Sequence, residues 1–180
     1  MHGKTEVRIG HEHAAREHAA DCAPRNASVS RREETCLVVG VGNPLRRDDG
    51  AGPGVVRRLA SCSLPPGTAL EEREADIFVI LEEMHRYGRV IVVDAVDMGS
   101  TPGTTRIFAP DEAAVHIRSD TLSTHGFGIR ELIAFAEELQ VPAELLVAGI
   151  QAKDVSFGEG MSGEVKEKLD DLVELITDLL

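Results

Sequence analysis

The feature that most constrains this chain is a strand, loop and helix junction with two acids in the loop. The run CLVVGVGNPLRRDDGAGPGVVRRL, at 36–59, begins as an apolar segment, passes through glycines and a proline, and restarts with small residues of helical character. Such a junction is typical of α/β proteins, in which a buried parallel strand is followed by a helix that packs back onto the sheet. Asp48 and Asp49 stand where the loop meets the helix.

Strand and helix patterns alternate along the rest of the chain. Apolar periodicity predicts a strand at 36–41, a helix at about 50–63, a strand at 69–75, a helix at 77–85, strands at 89–96 and 104–109, helices at 110–117 and 129–140, a strand at 144–150 and a last helix at 162–180 that Ser162 caps. The pattern predicts a three-layer α/β/α domain with a mostly parallel sheet.

A chain of 180 residues, 42% of them hydrophobic, suffices for one domain with a core. We predict a single domain at 36–180, preceded at 1–35 by a disordered or loosely ordered extension. The extension carries His2, His11, His13 and His18 without sustained apolar periodicity. The histidines suit a metal-collecting tail, but composition favours a solvated tail.

Net charge and cysteine usage exclude several classes of function. The formal charge of −12 falls entirely on 36–180, because 1–35 contains equal numbers of acidic and basic side chains. So acidic a surface repels phosphate backbones and anionic lipids, which argues against nucleic-acid and membrane binding. The chain shows neither a secretory signal nor a membrane-spanning run, and Cys22, Cys36 and Cys62 form no metal or disulfide pattern, so we expect a cytosolic protein with reduced thiols.

Three side chains are expected at one edge of the sheet. Asp49 follows the first strand, Asp94 lies near the end of the strand at 89–96, and His125 lies in a polar loop able to reach them. In sheets of this class the chemistry gathers beyond the carboxyl ends of the strands. Two carboxylates and an imidazole could hold a divalent metal ion with open positions, or act without metal as general base and acid.

Each of these residues also has a simpler interpretation. Asp48 or Asp49 could serve only as a helix N-cap, and His125 alone could be an ordinary loop residue. Asp94 is harder to dismiss, because a carboxylate at the end of an apolar strand costs free energy unless it is paired or functional. Nucleotide binding is a weak alternative, since the loop at 40–45 lacks both the third glycine of a dinucleotide fingerprint and a G-K-[ST] sequence.

Four motifs together resemble one known family, the hydrogenase maturation proteases. They are GVGNPLRRDDGAG at 40–52, VIVVDAVDMG followed by PG at 90–103, STHG at 123–126 and AGIQ at 148–151. The resemblance extends from 36 to about 175. The second motif is most similar to the branch that processes hydrogenase 3 of formate hydrogenlyase and the coenzyme F420-reducing hydrogenases.

The resemblance implies a specific activity and fold. These endopeptidases remove a short C-terminal extension from the large-subunit precursor of a [NiFe] hydrogenase after nickel insertion. Asp49, Asp94 and His125 match the family's nickel-contacting and catalytic positions. The nickel belongs to the precursor, so no permanent cofactor is expected. The family fold is a mixed five-stranded sheet between helix layers, of phosphorylase/hydrolase-like type, and the segment at 104–109 is the candidate for its reversed strand.

Some alternatives stay open at the level of sequence. The hydrolytic water could be activated by the metal or by a carboxylate. A Ser or Cys nucleophile is disfavoured, because there is no G-x-S-x-G elbow and no cysteine beside a histidine. The segment EREAD at 72–76 replaces the family's Gly-Gly or Gly-Thr pair. A non-catalytic nickel-binding accessory protein, using the same three residues and the His-containing tail, is the alternative function.

Overall fold

A computed structural model describes residues 35–74, 76–118 and 128–180 of the chain. The strands are β1 (Cys36–Val41), β2 (Thr68–Arg73), β3 (Arg89–Val96), β4 (Thr105–Phe108) and β5 (Glu144–Gln151). The helices are α1 (Ala51–Leu59), α2 (Ile77–Met84), α3 (Pro110–His116), α4 (Ile129–Glu138), α5 (Gly163–Glu167) and α6 (Leu169–Thr177), and a 3-10 helix, Arg47–Gly50, precedes α1.

The strands form one five-stranded sheet in the order β2-β1-β3-β5-β4. All neighbouring pairs are parallel except β4 and β5, which are antiparallel. The predicted fold class is therefore confirmed, and the reversed strand is the one the sequence indicated. The central strand β3 pairs with β1 on one side and with β5 on the other, so it runs through the middle of the core.

Helices cover both faces of the sheet, as the continuous apolar character of its strands predicts. Side chains alternate between the faces along each strand. On β3, Val90, Val92 and Val96 pack toward α2, α3 and α4. Ile91, Val93 and Ala95 pack toward α1, α5 and α6.

The predicted single helix at 162–180 is wrong, because it is two helices that break at Lys168. There the backbone turns tightly, and the Lys168 N–H bonds to the Val165 carbonyl three residues back at 3.1 Å. Val165, before the break, and Leu169, after it, are buried in the same part of the core, so apolar spacing could not distinguish one helix from two. Ser162 occupies the N-cap position, but its side chain makes no capping bond.

Other predicted boundaries agree with the structure to within a few residues. The first helix is the main exception, since it ends at Leu59 and not near residue 63. The extension predicted at 1–35 lies outside the described residues except for Thr35, and it stays a prediction. Within the described part of the chain, no helix has both the length and the apolar character needed to cross a bilayer.

Candidate active site

Between β1 and β3, the helices that connect the strands switch from one face of the sheet to the other. From β1 the chain passes through α1 on one face to β2, and it returns through α2 on the other face to β3. In open α/β sheets such a switch point leaves a crevice beyond the carboxyl ends of the strands, where ligands bind. Asp49 follows β1 and Asp94 is the sixth residue of β3, so both belong to this crevice.

Close packing of α1 against the sheet fixes the position of the loop that carries Asp49. A Cβ at Gly52 would collide with the carbonyl oxygens of Val41 on β1 and Val93 on β3. A Cβ at Gly40 would collide with the Gly52 carbonyl. Two glycines therefore allow the start of α1 to lie directly on the two strands that border the crevice.

Asp49 is held in the 3-10 helix and is 9% exposed. Its Oδ2 accepts a hydrogen bond of 2.9 Å from the Asn43 backbone N–H. The loop folds tightly here because Gly42 has a φ of 131°, in a region that other residues rarely adopt, and a Cβ at Gly42 would collide with the Asp49 carbonyl. A main-chain N–H of its own loop thus helps to orient the carboxylate.

Asp94 lies in β3, the central strand of the sheet, and is paired in register with Gly149 of β5. Side chains alternate along β3, so Asp94 falls on the same face of the sheet as Val90, Val92 and Val96. This is the face that α2, α3 and α4 cover. Burial raises the pKa of its carboxyl well above the ordinary value, and the Asp49 carboxylate raises it further, while a hydrogen bond to the Ala95 backbone lowers it. The two predicted acids are therefore brought together.

Asp48 has a different role from its neighbour, because hydrogen bonds from another loop occupy its carboxylate. No side chain caps the 3-10 helix or α1, so the N-cap interpretation of Asp48 and Asp49 is wrong. Asp48 is 0% exposed. Its oxygens accept hydrogen bonds from the backbone N–H of Lys153 and Asp154, both at 2.9 Å, and from the N–H and Oγ of Ser162, at 2.6 and 2.9 Å.

The Ser162 hydroxyl donates to Asp48, so its side chain joins this loop contact while it makes no capping bond to α5. A fully hydrogen-bonded buried carboxylate stabilises its surroundings, because each donor would otherwise lose water without a partner. Asp48 thereby joins the loop after β5 to the loop after β1. The sequence signal for this role was only the presence of two adjacent acids, Asp48 and Asp49, of which one was free to be structural.

Gln151, at the end of β5, is a site residue that the sequence analysis did not assign. It is 6% exposed. Its Oε1 accepts hydrogen bonds from the Met98 and Ser100 N–H groups, at 2.8 and 3.0 Å, and its Nε2 donates to Asp97 Oδ1 and the Ala152 carbonyl, at 3.3 and 3.0 Å. Gln151 therefore fixes the loop that follows β3 and Asp94. A polar residue ending an otherwise apolar strand was the available signal.

His125 lies outside the described residues, so its predicted place in the site stays a prediction. The helices on either side of that stretch, α3 and α4, both pack on the sheet face to which Asp94 belongs. Among the described residues, no group of three or more His, Cys, Asp or Glu side chains could hold a metal ion. The described part of the site is a pair of carboxylates.

Such a pair is suited to two kinds of chemistry. When two carboxyls lie close together, one is more easily protonated than the other, which provides a general acid and a general base. The same two groups attract a divalent cation, because its charge removes their mutual repulsion. Oxygen ligands from two aspartates leave several coordination positions open for ligands from elsewhere.

Comparison with known proteins identifies relatives of one kind. The family model described as hydrogenase maturation protease, HycI, matches residues 73–179. The hydrogenase expression/formation protein HupD of Thiocapsa roseopersicina is 28% identical over 83% of this chain and 69% of its own length. A putative hydrogenase maturation protease of Methanocaldococcus jannaschii is 29% identical over 81% of this chain and 96% of its own length.

Solved structures agree with this result. The maturation protease HybD of Thermococcus kodakarensis is 31% identical and superimposes with a TM-score of 0.62, covering 81% of this chain and 98% of that one. The endopeptidase HybD of E. coli shares the fold with a TM-score of 0.71 at 21% identity, covering 81% and 91% of the two chains. The branch suggested by the sequence stays a prediction. Because the family model spans more than half of the sequence, the chain belongs to the hydrogenase maturation protease family.

Proposed function

We propose that this protease removes the C-terminal extension of a [NiFe] hydrogenase large-subunit precursor once nickel has been inserted, as the last step of maturation. Asp49, Asp94 and His125 contact the nickel that the precursor carries. The observation that supports this most is the convergence of Asp49 and Asp94 at the β1/β3 crevice, where the charge of one raises the pKa of the other. The metal is part of the substrate, and the protease needs no resident cofactor.

The electrostatics of the pair support recognition of a cation. Without metal, the Asp94 carboxyl is held toward its neutral form by burial and by Asp49. A divalent ion between the two groups reverses that balance, because it favours both ionised carboxylates. A precursor without nickel offers no such charge, so the carboxylate pair works as a check that the metal is in place.

Hydrolysis then requires a water molecule that attacks the scissile carbonyl carbon and a proton for the departing amine. Either the nickel ion or one of the carboxylates can activate the water. The described cysteines are unsuited to be the nucleophile. Cys36 begins β1, at the opposite end of the strand from the crevice, and Cys62 is exposed beyond the end of α1.

The test uses a nickel-loaded large-subunit precursor and follows its mobility after incubation with the protein. We expect the wild type to shorten the precursor, and we expect Asp49→Ala, Asp94→Ala and His125→Ala each to lose roughly 10²-fold or more in rate, as expected for groups that act directly on the reaction. Matched controls are Asp178→Ala and His85→Ala, which alter exposed side chains away from the crevice.

Nickel-free precursor provides the second arm. We expect no shortening without nickel and restored shortening when nickel is inserted. If the protein binds nickel tightly but never shortens the loaded precursor, it is a metal-binding accessory protein and the proposal is wrong. If the three alanine variants cut as fast as the wild type, cleavage occurs but these residues do not perform it.

A further inference from the structure

Two loops meet beside the crevice and form a surface feature that the fold does not require. We call it the Leu45/Phe157 rim, and it consists of Leu45, Arg46, Arg47 and Phe157. The loops are joined through their main chains, since the Gly158 N–H donates to the Leu45 carbonyl at 2.9 Å and the Arg47 N–H donates to the Gly158 carbonyl at 3.0 Å. The rim therefore has a defined backbone conformation.

The rim exposes two large apolar side chains. Leu45 is 60% exposed and Phe157 is 78% exposed. The Arg46 guanidinium carbon lies 5.3 Å from the centre of the Phe157 ring, and its Nε donates to the Val155 carbonyl at 3.1 Å. This cation–π stacking holds the aromatic ring and the guanidinium together at the surface.

The rim is also directly connected to the carboxylate pair. Its residues at 45–47 lead straight into Asp48 and Asp49, and the Asp49 N–H donates to the Arg46 carbonyl at 3.0 Å. The second loop is fixed from beneath by the four hydrogen bonds that Asp48 accepts. A polypeptide whose scissile bond lies at the crevice would thus pass within reach of the rim.

The charge of the rim contrasts with that of the whole protein. The chain has a net charge of −12, yet two arginines stand side by side here. Arg47 lies 3.2 Å from Asp154, whereas Arg46 forms no ion pair with any described carboxylate. A half-buried guanidinium without a carboxylate partner among the described residues, beside exposed apolar surface, is complementary to a segment that combines an apolar side chain with a carboxylate.

We propose that the Leu45/Phe157 rim binds the precursor segment next to the scissile bond, with an apolar side chain against Leu45 and Phe157 and a carboxylate against Arg46. This inference rests on the proposed function, since it assumes that the precursor is the substrate. It adds a polypeptide contact that is independent of the nickel. Recognition then has two parts, a metal contact at the carboxylates and a polypeptide contact at the rim.

The test measures the two parts separately. Binding of nickel-free precursor reports the polypeptide contact without turnover, and cleavage of nickel-loaded precursor reports KM and kcat. We expect Phe157→Ala to weaken binding and raise KM roughly ten-fold with kcat little changed, as for other exposed aromatic anchors. Arg46→Glu should have a larger effect that diminishes at high salt, because it reverses a charge. Val115→Ala and Arg130→Ala, exposed residues of α3 and α4, serve as controls.

Failure of the rim and failure of the protease function give different results. If the wild type shortens the precursor and both rim variants keep its KM and its binding constant, the rim inference is wrong and the protease function stands. If the wild type binds but never shortens the loaded precursor, the protease function is wrong, and the rim is judged by binding alone. If the rim variants instead abolish self-association of the protein, a second copy occupies the rim and the inference is overturned.

Discussion

Asp48 and Asp49 are neighbours in sequence, yet they belong to two regions with opposite electrostatic character. The oxygens of Asp48 are buried and accept four hydrogen bonds, three of them from main-chain N–H groups. Asp49 instead lies close enough to Asp94 to raise its pKa. The difference teaches that burial alone does not identify a reactive carboxylate, whereas a half-buried carboxylate close to a like charge marks a candidate functional site.

The first prediction concerns the neighbouring carboxyls of Asp49 and Asp94 and has the largest expected effect. Asp94→Asn should reduce cleavage by roughly 10²-fold or more, because a group in contact with the reaction is lost. The same variant should have a free energy of unfolding about 1 kcal/mol higher near neutral pH, because it removes the cost of holding an ionisable carboxyl beside Asp49 at a half-buried position. Activity and stability therefore change in opposite directions.

The pH dependence of that stability difference follows from the raised pKa of Asp94. Above its folded-state pKa, ionised Asp94 destabilises the fold, and below the ordinary pKa of an unfolded aspartate it is protonated in both states. The stability advantage of Asp94→Asn should therefore shrink as the pH falls toward about 4. Urea unfolding at several pH values measures this stability difference, and a difference that does not change with pH would contradict the raised pKa of Asp94.

The second prediction concerns Asp48, whose buried carboxylate accepts four hydrogen bonds. Asp48→Ala should lower the free energy of unfolding by about 3 kcal/mol, because it leaves several buried donors without an acceptor. Ser162→Ala removes only the hydroxyl donor and should cost about 1 kcal/mol. Thermal and urea unfolding measure both, and Ser63→Ala, at an exposed position, is the control. Equal stability of Asp48→Ala and the wild type would show that this region is not a structural anchor.

The third prediction tests how far the two regions depend on the same packing. Gly52→Ala introduces a Cβ against the Val41 and Val93 carbonyls and should destabilise the protein by about 2 kcal/mol. Because α1 must then move off the sheet, Asp49 should shift relative to Asp94, and cleavage should fall as well. Gly163→Ala is the matched control, since a Cβ there meets no atom within 4 Å. Its stability and its activity should remain close to those of the wild type.

The prediction with the smallest expected effect concerns Cys36, a partly buried thiol that we expect to have no role in cleavage. Burial raises the pKa of the Cys36 thiol to about 11, with Arg89 lowering it and Glu144 raising it. Only the thiolate is nucleophilic, so at pH 8 alkylation of Cys36 should be slow and should accelerate as the pH rises toward 11. Exposed Cys62 should react faster in a Cys22→Ser background, and Cys36→Ser should leave cleavage unchanged. Rapid labelling of Cys36 would contradict its burial.

The sequence predicted the architecture well because the signals there are strong and local. The apolar runs of β1 and β3 allow few alternatives, and the pairing of Asp49 with Asp94 follows from the rule that chemistry gathers at the carboxyl ends of parallel strands. What could not be predicted depends on contacts between distant segments. The bonds from Asp48 to the loop after β5 and those of Gln151 to the loop after β3 join residues far apart in sequence.

The break at Lys168 shows a different limit. Val165, Leu169 and Leu172 keep one apolar stripe through the break, so periodicity reads the segment as continuous. Hydrophobic spacing reports which side faces the core and carries no information about a local change in backbone pitch.

The way Asp48 holds its partner loop has a consequence for how such a protein can diverge. Three of its four hydrogen bonds come from the main chain, so their donors are available whatever side chains the loop carries, provided that no proline enters at those positions. The side chains of Val155, Ser156, Phe157 and Glu159 can consequently change while the loop keeps its place, whereas Gly158 and Gly160, with φ of 154° and 81°, must remain glycine. A protease of this kind could therefore evolve a different substrate preference at the rim without displacing the carboxylates at the crevice.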